Sequence, residues 1–279
     1  MVGSEELAHA IVQPKPHRHH VSPVDPNHEI GSHTYTNFFD ELLLDMDVPS
    51  KCVFTTFGKG DGGKYVCMIP DLFESENCWI MSIGSHGDFN FETDVIAKTK
   101  CHVHTFDCTG TWTVPPGLQS RCTLHKKCIG STYTSRQEYL APHSVRQVSI
   151  VDPKDFLRYE ELVAIATTGN NFNRFPTVLK MDIEGGEFHV LPDILSGSPE
   201  LYPAQIAVEL HLKTYFNASS EYAVDKTNGQ WHIKDLSQAK GLMQKLRKSG
   251  FKVIHREDNP SCAHCSEVVL MKSNLIPAG

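Results

Sequence analysis

A short apolar run, Val178-Leu179-Lys180-Met181, leads directly into Asp182-Ile183-Glu184-Gly185-Gly186-Glu187. Three carboxylates within six residues at the end of a strand repel one another unless a cation, a proton or a polar substrate is handled there. A second run, residues 205–210, ends in Glu209-Leu210-His211, and the two-residue period of a strand sets Glu209 and His211 on one face. Asp182, Glu209 and His211 can therefore converge, either as a general acid/base group or as a hard-metal site of mixed oxygen and nitrogen ligands. The structural alternative is that Glu187 solvates a helix start while Glu209 and His211 hydrogen-bond each other.

Two more features point to a nucleotide-like ligand. After the apolar strand Trp79-Ile80-Met81-Ser82-Ile83 comes Gly84-Ser85-His86-Gly87-Asp88, where glycines let backbone approach a ligand and expose amides at a helix start. The spacing is GxxG rather than GxGxxG, which argues against a nicotinamide or flavin dinucleotide. The next strand, Cys101-His102-Val103-His104-Thr105-Phe106, ends in Asp107, 23 residues beyond Gly84. An acidic side chain there accepts hydrogen bonds from a ribose diol, so the two features together specify a nucleoside-bearing cofactor. Taken alone, the glycines make a tight turn and Asp107 a turn residue ahead of Thr109-Gly110.

These positions need strands that end together. Apolar runs at 78–83, 101–106, 122–129, 177–181, 205–210, 251–254 and 267–271 read as strands. Between them lie helices with recognisable ends. Asp152-Pro153 opens one that carries Phe156, Leu157, Leu162, Val163 and Ala166. Another spans about 235–249, with Lys245, Arg247 and Lys248 in its last turn and Gly250 as terminator. Alternating strand and helix predicts a doubly wound α/β domain, whose ligands bind outside the carboxyl ends of the strands. Before this region, Cys52–Phe57 and Lys64–Ile69 read as a hairpin around a glycine-rich loop, or as two short strands flanking a ligand loop, and a short helix capped by Asn37 carries Phe38, Phe39, Leu42, Leu43 and Met46. Residues 1–35, rich in proline and histidine, read as a weakly ordered N-terminal extension to a domain at 36–279. The run His17-Arg18-His19-His20 is read as a solvated polar segment.

Composition narrows the partners. The 279 residues carry 26 Lys and Arg against 33 Asp and Glu, a formal charge of -7 that repels nucleic acid and anionic membranes at long range. A small-molecule acceptor is expected, and no nucleic acid. No apolar stretch is long enough for a membrane span, and MVGSEELAHA lacks the pattern of a signal peptide, so the chain as given reads as soluble. Nine cysteines, an odd number, leave at least one unpaired and the compartment open between cytoplasm and a secretory lumen. The sequon Asn217-Ala218-Ser219 does not close that question. Cys67 and Cys78 are suitably separated for a bridge. Cys262-Ala263-His264-Cys265 reads as a disulfide or two thiols rather than zinc, since no second CxxC completes a ligand set.

The run from Val178 through Asp182, Glu184 and Glu187 to Phe188, followed by Val190-Leu191-Pro192, resembles the signature of FkbM-type and related methyltransferase-like proteins. Further matching blocks are Asp61–Cys67, Gly84–Glu92, Phe106-Asp107, Glu209-Leu210-His211, Asn259–Cys262 and Glu267-Val268-Val269, so the resemblance covers about 36–275. It implies a class I methyltransferase, a Rossmann-like, doubly wound seven-stranded sheet with an antiparallel last strand, using S-adenosylmethionine. By the family's pattern Gly84, Ser85 and Gly87 hold the methionine end of the cofactor, Asp107 the ribose, and Asp182 lies beside the sulfonium. Gly130 and Ser131 fall at the adenine edge. The usual acidic residue near the cofactor's amine is missing from the first strand, with Asp88 as its candidate replacement.

The expected reaction is O-methylation of a small or sugar-like acceptor. Asp182 and His211 would orient or deprotonate its hydroxyl, with Glu184 and Glu209 as supporting carboxylates. N-methylation of a small amine or peptide is the nearest alternative. A metal-dependent hydrolase and a non-catalytic binding relic are the others. A divalent metal is possible but not predicted. Acceptor specificity is expected in the loops 109–122 and 212–234, which carry no recognisable motif.

Overall fold

A computed structural model describes residues 52–130, 153–183, 185–211, 236–258 and 265–275. The expected N-terminal extension, the helix capped by Asn37, Ser131 and Glu184 lie outside the described residues. The chain begins there with the hairpin expected from its glycine loop, β1 (Val53–Phe57) and β2 (Lys64–Met68), paired antiparallel. After a short helix α1 (Pro70–Phe73) come β3 (Trp79–Ile83), α2 (Asn90–Lys98), β4 (His102–Phe106) and β5 (Cys122–His125). The second half holds β6 (Cys128–Ile129), β7 (Phe156–Leu157), α3 (Tyr159–Thr167), β8 (Val178–Met181), α4 (Glu187–Ile194) and β9 (Gln205–His211). It ends with α5 (Leu236–Lys248), β10 (Phe251–Asp258) and β11 (Cys265–Lys272).

Seven strands form one sheet in the order β10-β11-β9-β8-β3-β4-β5. Neighbours from β9 to β5 pair parallel, whereas β11 runs antiparallel to both β9 and β10. This is the class I methyltransferase arrangement, with the reversed last strand that the resemblance implied. The chain steps outward from β3 to β5 and then returns to lay β8 on the other side of β3. The order therefore reverses between β3 and β8, the place at which sheets of this kind bind ligands beyond the carboxyl ends of their strands.

Period-two alternation divides the core. Trp79, Met81 and Ile83 of β3 face a layer containing Leu162 and Ala166 of α3, Leu191 of α4 and Leu246 of α5. Ile80 faces the other layer with Phe91 and Val95 of α2 and Phe57 of the hairpin. All of β3, β8 and β9 is buried, as parallel strands covered on both faces must be. The hairpin is fixed to that second face by a reciprocal pair: the Cys67 N–H donates to Gln205 Oε1 (3.0 Å), and Gln205 Nε2 donates to the Cys67 carbonyl (2.7 Å).

Three sequence expectations need correction. The run 122–129 is two strands in two sheets, because the chain bends at Lys126-Lys127, where Lys127 N–H bonds the His125 carbonyl and its ammonium reaches Asp155 at 2.7 Å. Adjacent lysines cannot both be buried within a sheet covered on two faces. The helix opened by Pro153 is only a 3-10 turn; Phe156 and Leu157 pair with Cys128 and Ile129, and the helix begins at Tyr159, with the Arg158 N–H donating to Glu161. Cys67 does not pair with Cys78. Disulfides join Cys52 to Cys67, Cys78 to Cys101 and Cys108 to Cys128, which leaves Cys122 as the free buried thiol among the described residues.

Candidate active site

Gly84 and Asp182 meet at the reversal point. A Cβ on Gly84 would lie 2.0 Å from the Asp182 carbonyl oxygen, and Gly84 has φ +74°, so glycine is required twice over. Gly87, at φ +79°, leaves room for the Trp112 ring, whose nearest atom would be 2.5 Å from a Cβ there. Both glycines thus admit protein atoms, not an open cradle. The backbone between them curls through His86, a non-glycine residue at φ +48°.

Asp107 organises that curl. Its Oδ2 accepts from the Ser85 N–H (3.0 Å) and the His86 N–H (2.7 Å), and its Oδ1 from the Thr109 N–H (2.8 Å) and the Thr109 hydroxyl (2.6 Å). Burial works to raise its pKa, but these donors, with the Trp112 indole beside it, outweigh burial and hold the carboxyl below its usual value. Asp88 is exposed and accepts from the Asn90 N–H at the start of α2 (2.9 Å). Gly130 is buried, its N–H bonded to the Leu157 carbonyl (2.8 Å).

Beside this turn the structure brings Asp182, Glu209 and His211 together, as their spacing suggested, and adds Lys64, Glu267 and Glu187 as partners. Lys64 enters from β2, fully buried, with its ammonium 2.6 Å from Glu267, 3.2 Å from Asp182 and 3.6 Å from Glu209. Glu267 of β11 stands directly opposite Glu209 of β9, a like-charge pairing that is unfavourable without a cation between. His211 Nδ1 lies 3.2 Å from Glu187, and its Nε2 is 4.0 Å from both Asp182 and Glu209. Behind them buried Lys180 donates to the carbonyls of Ile83 and Gly84, tying β8 to the glycine turn.

The surrounding charges and burial set the proton affinity of each group. Burial alone would lower the pKa of Lys64, but Asp182, Glu267 and Glu209 together raise it above its ordinary value, so the ammonium is a fixed cation. Burial likewise opposes protonation of His211, yet Glu187, Asp182 and Glu209 outweigh it and push its pKa up to about 10. The sequence reading gave His211 the part of orienting or deprotonating a hydroxyl; with its pKa raised this far it carries a proton at neutral pH. Burial favours the neutral form of Asp182, but Lys64, Lys180 and His211 hold it below its usual range. Glu267 is the group near neutrality: burial raises it, Lys64 only partly opposes that, and it stands at about 8. Lys64 and Glu267 lie in two of the blocks that resemble the family, Asp61–Cys67 and Glu267-Val268-Val269, but received no role there. The available signal was a lone charge inside an apolar strand, which also describes Lys180 and Glu209.

Glu209, His211 and Cys265 bring one potential ligand atom each within 4.8 Å of the others. Cys265 is in a disulfide, and two protein cations already balance the carboxylates, so the donor set suits an organic substrate better than a divalent ion.

A family model described as a methyltransferase domain matches residues 8–272. Among solved structures, the chain is similar to the fibrillarin pre-rRNA processing protein of Methanococcus jannaschii, at 10% identity over 80% of this chain and 84% of that one, TM-score 0.36. It is similar to a 16S rRNA (adenine(1408)-N(1))-methyltransferase from Catenulisporales acidiphilia, at 11% identity over 78% and 98% of the two chains, TM-score 0.36. It is also similar to CalO1, a methyltransferase in calicheamicin biosynthesis in its SAH-bound form, at 10% identity over 71% and 49%, TM-score 0.32. At these values the likenesses carry no argument about substrate. No curated protein matches the chain.

Proposed function

Because the chain belongs to the methyltransferase-domain family and is an S-adenosylmethionine-dependent methyltransferase, we propose that it O-methylates a small, hydroxyl-rich acceptor such as a sugar-like molecule. The observation that supports this most is the position of Asp182. Its carbonyl lies against Gly84 of the cofactor-side turn, while its carboxylate, 20% exposed, is held by Lys64 and faces His211. One residue thus joins the turn at the strand reversal to a cluster of carboxylates able to accept hydrogen bonds from hydroxyls.

S-adenosylmethionine supplies an electrophilic methyl group on a cationic sulfur. The residues present suit such a group: Asp107 offers a carboxylate at the end of β4 for a diol, and Asp182 a carboxylate for a cation at the end of β8. In this reading Gly84, Ser85 and Gly87 line the methionine end, Asp88 serves the amine, and Gly130 and Ser131 border the adenine. Lys64 and His211 fix Asp182, which orients the acceptor hydroxyl in line for transfer. Glu267, on the same ammonium, has the proton affinity suited to take the hydroxyl's proton. Glu209 and Glu184 remain supporting carboxylates. We place the catalytic domain at 36–279 and, on the Asp182–Pro192 motif, within the FkbM-type branch. Three disulfides and a disulfide-bonded Cys265 support residence in an oxidising compartment.

Incubation of metabolite extracts with isotope-labelled S-adenosylmethionine, read by mass spectrometry, tests the assignment. The label should enter an O-methyl group, and Asp182→Asn should reduce transfer by about 100-fold or more. Label on nitrogen, or full transfer by Asp182→Asn, would sink the reading.

A further inference from the structure

The lone pairs of Asp107 are all in use. A carboxylate offers roughly four acceptor positions. Here Ser85 and His86 amides take two on Oδ2, with the Ser85 hydroxyl standing off at 3.4 Å, and the Thr109 amide and hydroxyl take two on Oδ1. With the residue only 2% exposed, an incoming diol finds no vacant acceptor.

Three of those donors cannot leave without refolding a turn. Ser85 and His86 amides are fixed between Gly84 and Gly87, where the Asp88 N–H also closes onto the Ser85 carbonyl (2.8 Å). The Thr109 amide follows Cys108, which is bonded to Cys128. The fourth donor is different: whereas the Ser85 hydroxyl contact is longer, at 3.4 Å, on a residue only 7% exposed, Thr109 is exposed and its hydroxyl, at 2.6 Å, leaves by rotation about one side-chain bond into water.

We propose that the Thr109 hydroxyl occupies the Asp107 position that a ribose hydroxyl of the methyl donor takes, so that the cofactor binds by displacing it. Thr109 then sets cofactor affinity by competition. It also shields a buried carboxylate that would otherwise lack an acceptor's full complement of donors between turnovers. This rests on the reading that Asp107 lies at the ribose position.

Calorimetry with S-adenosylhomocysteine tests it without knowledge of the acceptor. Thr109→Val keeps the shape and the backbone amide but vacates the position in advance, and should bind about two- to tenfold more tightly than the wild type, the worth of one hydrogen bond. That gain should vanish for the 2′-deoxy or the 3′-deoxy analogue, whichever lacks the displacing hydroxyl. Thr109→Val binding equal to or weaker than wild type, or tightening of both deoxy analogues to the same degree, overturns the assignment of Thr109 alone. Wild-type binding that is indifferent to Asp107→Ala overturns the ribose placement and the Thr109 competition with it.

Discussion

Replacing Lys64 by methionine takes one positive charge out of the space between three carboxylates while nearly preserving volume. The ammonium is sealed from solvent and lies within 3.6 Å of Glu267, Asp182 and Glu209. Removing one member of a buried ionic cluster leaves uncompensated charge and costs about 3–5 kcal/mol. For a domain of this size each kcal/mol moves Tm by roughly 2–4 °C, so Lys64→Met should melt about 6–20 °C below wild type at pH 7.5. The deficit should grow at pH 9, because Glu267, at about 8, has then lost its proton in the wild type and its charge facing Glu209 is balanced only where Lys64 is present. The double variant Lys64→Met/Glu267→Gln should recover about 1–3 kcal/mol relative to additivity. Scanning calorimetry with urea unfolding measures both. A Lys64→Met protein that melts within about 2 °C of wild type, or a double variant whose effects simply add, refutes a tightly balanced cluster.

Stability should fall as pH rises from 6 to 10. Glu267, raised from 4.5 to about 8, and His211, raised from 6.5 to about 10, both bind protons more tightly in the folded state, so their contributions are complete below the unfolded values and are lost as pH passes the folded ones. A urea midpoint that rises across that range contradicts the assignment. Gly84→Ala should lose about 2–4 kcal/mol, combining a positive φ with a clash against the Asp182 carbonyl; an unchanged midpoint would mean the β3 and β8 ends are not in contact. Thiol titration of the unreduced, unfolded chain should find one thiol, Cys122, which reacts slowly in the folded protein because burial pushes its pKa up to about 11. Three or more thiols would remove the case for an oxidising compartment. Asp107→Ala should weaken S-adenosylhomocysteine binding by about 1–3 kcal/mol, both by losing an acceptor and by releasing the turn at Ser85-His86.

Much of the fold was legible because burial on both faces leaves a strong mark. The runs at Trp79–Ile83, Val178–Met181 and Gln205–His211 are strands wholly inside the sheet, and their apolar character needed no context. The boundary errors arose where local signals conflicted with partners distant in sequence. Pro153 is a good helix starter, yet Phe156 and Leu157 gain more by pairing with Cys128 and Ile129. Cys67 and Cys78 are close in sequence, but the parallel register of β3 and β4 sets Cys78 beside Cys101, and the hairpin sets Cys67 beside Cys52.

By itself the sequence determined the class of sheet and the strand ends at which chemistry collects, and allowed Asp182, Glu209 and His211 to converge, since those follow from periodicity and from chain order; the pairing of β8 with β9 made them meet. Tertiary structure alone decided the protonation of the cluster. The charge on His211 depends on Glu187 24 residues away, and that on Glu267 depends on Lys64, 203 residues earlier. Proton affinity is set by burial and by charges within a few ångströms, and distances of that kind between remote residues exist only once the hairpin has docked on the sheet.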